Sequence, residues 1–218
     1  MAEVMDHRAA ILGSIRKALG QASSKDAIAE EYAAIPRTYT KTGGMERAAL
    51  LAHFEERLVE YDAGVYRAAK DGIAAKVAEI LTARGKPGLT LPEGVPAEWL
   101  PEGFSFEVAG LQALELDKTP GVLTGCTVAI AETGSIVLQN AAAQGARILS
   151  LVPDYHLCVV FAEQVVLTVP EAFARLEGTS TLPTTFVSGP SATADIEMTR
   201  IKGVHGPRFL DVLIVVEA

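Results

Sequence analysis

The sequence predicts an α/β fold, a mixed sheet flanked by helices, and three observations carry that prediction. From residue 45 onward, stretches with helical apolar spacing alternate with short β-rich runs, a pattern that favours a largely parallel sheet with helices packed on it. The C-terminal half then shows two apolar runs joined by a tight glycine-containing turn, which adds a hairpin. At 218 residues, about half of them apolar, the chain is long enough to bury a sizeable core without disulfides or metals.

The elements follow in order. Residues 2–19 form an amphipathic helix, with Val4, Ile11, Leu12, Ile15 and Leu19 on one face and Gly20 as its stop. Residues 21–44 are polar and poorly periodic, with Ser23-Ser24, Pro36 and Gly43-Gly44, and read as a linker. The expected division is therefore an N-terminal helical arm and linker, 1–44, and an α/β domain, 45–218. The arm can dock on its own chain, on a second copy or on another protein; the sequence leaves the three open. Within the domain, a helix over 45–62 turns Leu50, Leu51, Phe54 and Leu58 inward and is closed by Gly64. A strand at 65–68 precedes a second helix, 73–84, with Ile73, Val77, Ile80 and Leu81 inward and Gly85 as cap. Strands at 88–91 and 105–108 flank a turn-rich stretch carrying Trp99. The hairpin joins 127–131 to 135–138, and further strands are expected at 148–152, 157–161, 184–187 and 210–216. A short helix follows Pro170 over 171–177, and another starts near Ser191.

Charge and cysteine usage exclude several function classes. The formal net charge is -8 and no Lys/Arg-rich run is present, so the electrostatic footprint of a nucleic-acid binder is missing. No apolar run approaches the length of a bilayer span, and no export signal opens the chain, so the expectation is a soluble, cytoplasmic protein without a membrane span. Two widely separated cysteines, Cys126 and Cys158, cannot supply the four closely spaced thiolates of an iron–sulfur cluster or a structural zinc site. No metal or resident cofactor is expected in this chain. The glycine-rich dinucleotide fingerprint, the P-loop, His-Glu-x-x-His and the nucleophile elbow are absent as well.

Three segments place small and polar residues where strands end. Thr124-Gly125-Cys126-Thr127 leads into Ala131-Glu132-Thr133-Gly134-Ser135, which sets a carboxylate and two hydroxyls at a hairpin tip. Gly134 permits a positive φ and close approach of another group to the backbone, while Glu132 suits a nucleophile, a general base or an acceptor for a ligand hydroxyl. A plain β-turn with a solvated Glu132 fits the same residues. The second segment runs from Ser188, Gly189, Pro190 and Ser191 to Asp195 and Glu197, after the strand 184–187. A helix starting at Ser191 or Thr193 would offer free N–H groups and a positive dipole end to a phosphate or carboxylate. Asp195 and Glu197 stabilise such a helix start but oppose an anion, so a capped helix without ligand fits equally. In the third, Gly203-Val204-His205-Gly206-Pro207, His205 is either a hydrogen-bond donor or general acid near a ligand, or a loop residue bonded to a backbone carbonyl. His156 has a similar, weaker claim.

Together these segments resemble a known family. Thr124-Gly125-Cys126 followed by AIAETGSIVL, then SGPSATADIE, then GVHGP resemble the LUD-domain proteins of the lactate utilization protein C (LutC/YkgG) group, and ILGSIRKALG resembles that group's opening helix. The resemblance implies a fold similar to the NagB/RpiA/CoA-transferase-like group. It also implies a role in oxidising L-lactate to pyruvate beside partner proteins that carry the iron–sulfur clusters. On that view this chain is the subunit without clusters and holds a small carboxylate near Ser188, with Glu132 and His205 beside its hydroxyl. The site would comprise Glu132 and His205 as catalytic groups, with Thr124, Gly125, Thr133, Gly134, Ser135, Ser188, Gly189, Pro190, Ser191, Asp195 and Glu197 binding the ligand. The fold likeness also leaves an autonomous CoA-transferase-like or folate-cycloligase-like enzyme, with Glu132 as nucleophile, and a purely structural scaffold.

Overall fold

The computed structural model describes residues 7–20, 24–108, 110, 112–193, 201–202 and 206–216. The chain divides into two units, residues 1–39 and 40–218. In the first unit, α1 spans His7–Leu19 and α2 spans Lys25–Ala34. Positions 2–6 of the expected first helix lie outside the described residues. Helix α2 falls where the sequence reads as linker. Ser24, taken as a linker residue, is its N-cap, with Oγ accepting from the Ala27 amide at 3.1 Å. Beyond its end, Arg37 bonds the carbonyls of Tyr32 and Ile35 and lies 4.5 Å over the Tyr32 ring. Caps at both ends make up for the weak apolar stripe that hid this helix.

The second unit is α/β, as expected. Helix α3 covers Arg47–Glu60, β1 Gly64–Ala69, α4 Ile73–Ala83, β2 Gly88–Leu91, β3 Ser105–Val108, α5 Ala113–Leu116 and β4 Val122–Thr124. Then come β5 Val128–Ile130, β6 Ser135–Gln139, α6 Arg147–Leu151, β7 Tyr155–Phe161, β8 Val165–Val166, α7 Val169–Leu176 and β9 Thr184–Val187. The short strands β10 Ala192–Thr193 and β11 Ile201–Lys202 precede β12, Phe209–Val216. The mixed sheet of the sequence reading resolves into two main sheets beside a two-stranded β10–β11 ribbon. A six-stranded sheet, ordered β1-β12-β7-β4-β2-β3, is parallel throughout. A four-stranded sheet, β8-β5-β6-β9, holds the hairpin antiparallel and pairs β8 with β5 in parallel.

Both faces of the parallel sheet are buried, and the side chains alternate between two cores. Tyr155, Leu157 and Val159 of β7 join Leu213 and Val215 of β12 against α4 and Trp99. Cys158 and Val160 join Val212 and Ile214 on the other face, under α3 and the hairpin. Helix α7 covers the far side of the four-stranded sheet through Ala172 and Leu176. It starts at Val169, two residues before the expected 171, so Pro170 lies within its first turn, and Thr168 and Glu171 form a reciprocal capping box.

Three local expectations are corrected. Residues 148–152 are not a strand: Arg147–Leu151 is a short helix with Leu149 and Ser150 buried. A five-residue apolar run carries too little periodicity to separate the two states. No helix begins at Ser191 either, because Ala192 and Thr193 pair antiparallel with Lys202 and Ile201. Gly64 does not close α3, since the left-handed position is Asp62, at φ 64. Gly64 instead makes room: a Cβ there would stand 2.1 Å from Oδ1 of Asp211. That buried carboxylate accepts from Arg84 Nε at 2.8 Å and Nη2 at 2.5 Å, and from the Tyr155 hydroxyl at 2.8 Å.

Candidate functional site

The hairpin tip is held from below by β8 and the turn after it. Ala131 and Glu132 donate their amides to the carbonyls of Val166 and Leu167 at 2.8 and 3.1 Å. Gly134 adopts φ 59, the left-handed conformation the sequence leads one to expect. The group that approaches it is protein: a Cβ at Gly134 would meet Arg57 Cβ at 2.9 Å and its carbonyl carbon at 3.0 Å. Gly189, at φ 80, does the same one turn further along, where a Cβ would lie 2.5 Å from Tyr61 Cβ. The C-terminal end of α3 thus seats both loops. Between them, Thr133 Oγ1 donates to Ser135 Oγ at 2.8 Å, and Ser135 Oγ bonds Ser188 Oγ at 2.6 Å. The Glu132 side chain is exposed at the tip.

Ser188, Gly189, Pro190 and Ser191 line a cleft of about 350 Å³. Its other walls come from β9, from Gly206-Pro207, and from Arg147, Ser150 and Leu151 of α6. The Ser191 amide bonds the Pro207 carbonyl at 2.8 Å, which ties the second segment to the start of β12. The anion-binding element expected here was a helix start; the structure offers a guanidinium instead. Among the described residues Arg147 is the one charged side chain lining this cleft, and it has no ion-pair partner there. Sequence reasoning missed it because the following residues read as a strand; the Gly145-Ala146-Arg147 approach to a short helix was the available signal. Asp195, Glu197 and His205 lie outside the described residues.

A larger cleft, about 640 Å³, opens beside the carboxyl end of β2. Its lining is mostly small residues, with Asn140 as the amide and Glu93 as the charged group. A carboxylate disfavours an anionic ligand, so the Arg147 cleft is the better match for one.

Thr124, Gly125 and Cys126 belong to neither cleft. Thr124 is fully buried, and its Oγ1 lies 2.7 Å from His156 Nε2. The Gly125 amide bonds the Ala143 carbonyl at 2.8 Å, and Ala143, at φ 60, bonds the Glu93 carbonyl at 2.7 Å. The two cysteines, 32 positions apart, meet in this interior. Hydrogen bonding to Cys158 and burial both push the Cys126 thiol up. For Cys158 burial also acts upward, but its polar neighbours Cys126, His156 and Thr124 outweigh it and hold the thiol well below its ordinary value. No group of three or more metal-ligating side chains is assembled among the described residues. Nor is any described helix long and apolar enough to cross a membrane.

Relatives place this architecture. A Deinococcus radiodurans protein named lactate utilization protein C is 40% identical over 181 residues, covering 81% of this chain and 84% of the relative. A Geobacillus thermodenitrificans protein of the same name is 24% identical, covering 98% of both chains. A crystal structure of a DUF162-family protein from Deinococcus radiodurans superposes with a TM-score of 0.69 at 37% identity, covering 79% of this chain and 99% of that one. The LUD-domain family model matches residues 51–215, most of the second unit. By that match and by the 40% identical relative, the chain belongs to the LUD-domain family.

Proposed function

We propose that this chain acts in lactate utilization as the subunit without clusters, and that it binds a small carboxylate in the cleft between α6 and the Ser188–Ser191 segment. The observation that carries the reading is Arg147 in a cleft whose other polar side chains, among the described residues, are the hydroxyls of Ser150, Thr185, Ser188 and Ser191. A guanidinium presents a planar fork of N–H donors that matches a carboxylate, and neighbouring hydroxyls suit the 2-hydroxyl of lactate or the keto oxygen of pyruvate. The names of the relatives support the pathway. The family resemblance implies partner proteins that carry iron–sulfur clusters and take the electrons of a lactate oxidation, and a chain with two cysteines, too few to hold such a cluster, is compatible with that role.

Calorimetric titration with L-lactate and with pyruvate tests the cleft. Arg147→Gln should weaken binding at least tenfold, since a charge-assisted hydrogen bond contributes about 1.5–3 kcal/mol. Equal affinity in wild type and variant would sink the assignment of the cleft. Failure of the chain to co-purify with cluster-bearing proteins from lactate-grown cells would sink the subunit role. An autonomous acyl-transferring enzyme built on Glu132 has less support, because Glu132 does not line this cleft.

A further inference from the structure

Strand β9 is an edge of the four-stranded sheet, with β6 as its strand neighbour among the described residues. The Asn140 amide bonds the Pro183 carbonyl at 3.1 Å, one step beyond the pairing of Gln139 with Thr184 and Leu138 with Thr185. Antiparallel pairing alternates, so Thr185 and Val187 turn their backbone groups to β6. The N–H and C=O groups of Thr184 and Phe186 point instead to the open edge, which makes it a template for a further strand. The Arg147 cleft runs along that edge. Thr185, Phe186, Val187 and Ser188 all line it, although successive side chains of a strand face opposite sides, so β9 bounds the cleft with its rim. Arg147, Ser150 and Leu151 of α6 supply the helical wall. A strand rim beside a helix suits an extended peptide that adds to the sheet. Apolar surface is open to such a peptide: Leu151 is 38% exposed, and Phe186, 44% exposed, stacks on Phe173 with ring centroids 5.9 Å apart.

We propose that this groove takes the free C-terminal end of a partner polypeptide, in extended form and with an apolar last residue. The proposal rests on the carboxylate reading and deepens it: the chain end puts its carboxylate in the Arg147 seat that a small free acid would take, so the two exclude each other. The peptide backbone bonds the outward N–H and C=O of Phe186, and the apolar last side chain meets the exposed Leu151. Charge decides between occupants. An internal segment of a partner, or the β9 of a second copy, would pair the edge but bring no terminal carboxylate to the guanidinium, which has no ion-pair partner among the described residues. A chain end satisfies both the edge and the charge.

The test uses the full chain and pools of fluorescein-labelled hexapeptides, randomised except for a last residue of Val, Leu, Ile or Phe, each pool as the free acid and as the amide. Fluorescence polarisation should show saturable binding of the acids, with the amides weaker by about tenfold or more. Arg147→Gln should weaken the acids by the same factor and no longer distinguish acid from amide. Phe186→Pro removes one outward N–H at a position where an edge strand tolerates proline, and should abolish binding; Phe186→Ala keeps that N–H and part of the affinity. N-methylation of alternate amides in a bound peptide reads strand addition without altering the protein: one set should destroy binding and the other preserve it. No peptide bound, or acid and amide bound equally by wild type, would overturn the proposal. So would a dimer in sedimentation velocity that Phe186→Pro disperses, since a second copy would then occupy the edge. The small-acid reading fails separately. L-lactate bound through Arg147 with no peptide bound keeps that reading and overturns this one; peptide bound through Arg147 with no lactate bound supports this one and removes lactate.

Discussion

The hydroxyls of Ser135 and Ser188 stand 2.6 Å apart although 53 residues separate them in the chain. Ser135 begins β6 and Ser188 follows β9, its antiparallel neighbour, so the register that pairs Ile136 with Val187 brings the two side chains together. Through this bond the hairpin tip, with Thr133 attached, becomes the support behind one wall of the Arg147 cleft.

A double-mutant cycle measures that support. Ser135→Ala and Ser188→Ala should each cost about 1 kcal/mol in urea unfolding, and the double variant should cost less than their sum by about 0.5–1.5 kcal/mol. Additive costs would mean the bond does not couple the two loops in solution. L-lactate affinity should fall further in Ser188→Ala than in Ser135→Ala, since only Ser188 lines the cleft.

Gly134→Ala is expected to be the more damaging change at the tip. An alanine at φ 59 costs about 1–2 kcal/mol from its conformation alone. Its Cβ must also displace the backbone of α3 at Arg57, which adds about 1–3 kcal/mol. Equilibrium urea unfolding checks this, and a loss under 1 kcal/mol would show that α3 gives way easily.

Much of the fold was legible because turn residues punctuate it. The strands 88–91, 105–108 and 184–187 appear with the boundaries that their flanking Gly, Pro and Ser residues indicate. The central strand Val122–Thr124 was not legible, since three residues between two glycines show no period. The site was readable in part. Hairpin and Ser188 segments do meet, but Gly134 and Gly189 serve helix packing, and Thr124 turns to His156, 32 residues away. Such long-range partners leave no local pattern. Arg147 went unread for a different reason: its helix is too short to announce itself.

The Arg84–Asp211–Tyr155 network predicts an alkaline limit to stability. Burial, then the neighbouring Asp211 charge, raises the Tyr155 phenol above its ordinary value of 10.0. The folded protein therefore keeps this proton where the unfolded chain releases it. Its stabilising contribution is complete below pH 10.0 and declines as pH rises above that value. Urea midpoints measured from pH 8 to pH 11 should fall in wild type and fall less steeply in Tyr155→Phe. Parallel curves would remove Tyr155 from the account. Asp211→Asn, which leaves the part-exposed Arg84 guanidinium facing a neutral group, should cost about 1–3 kcal/mol at neutral pH.

Ligand-linked stability separates the two carboxylate-centred readings of this site. A ligand that binds only the folded chain stabilises it by RT ln(1 + [L]/Kd), about 2.7 kcal/mol at a hundred times Kd. If Arg147 holds the carboxylate, saturating L-lactate should raise the melting temperature of wild type and of Glu132→Gln alike, and leave Arg147→Gln unmoved. If Glu132 is a nucleophile toward acyl thioesters, the pattern changes. Lactate then shifts none of the three proteins, and Glu132→Gln alone loses a hydroxylamine-trappable acyl adduct. Placement already favours the first outcome: Arg147 lines a cleft, while Glu132 stands exposed on a tip whose glycine is closed off by α3. A melting shift in wild type that survives Arg147→Gln would return the ligand to another surface, with the Glu93 and Asn140 cleft next to be tested.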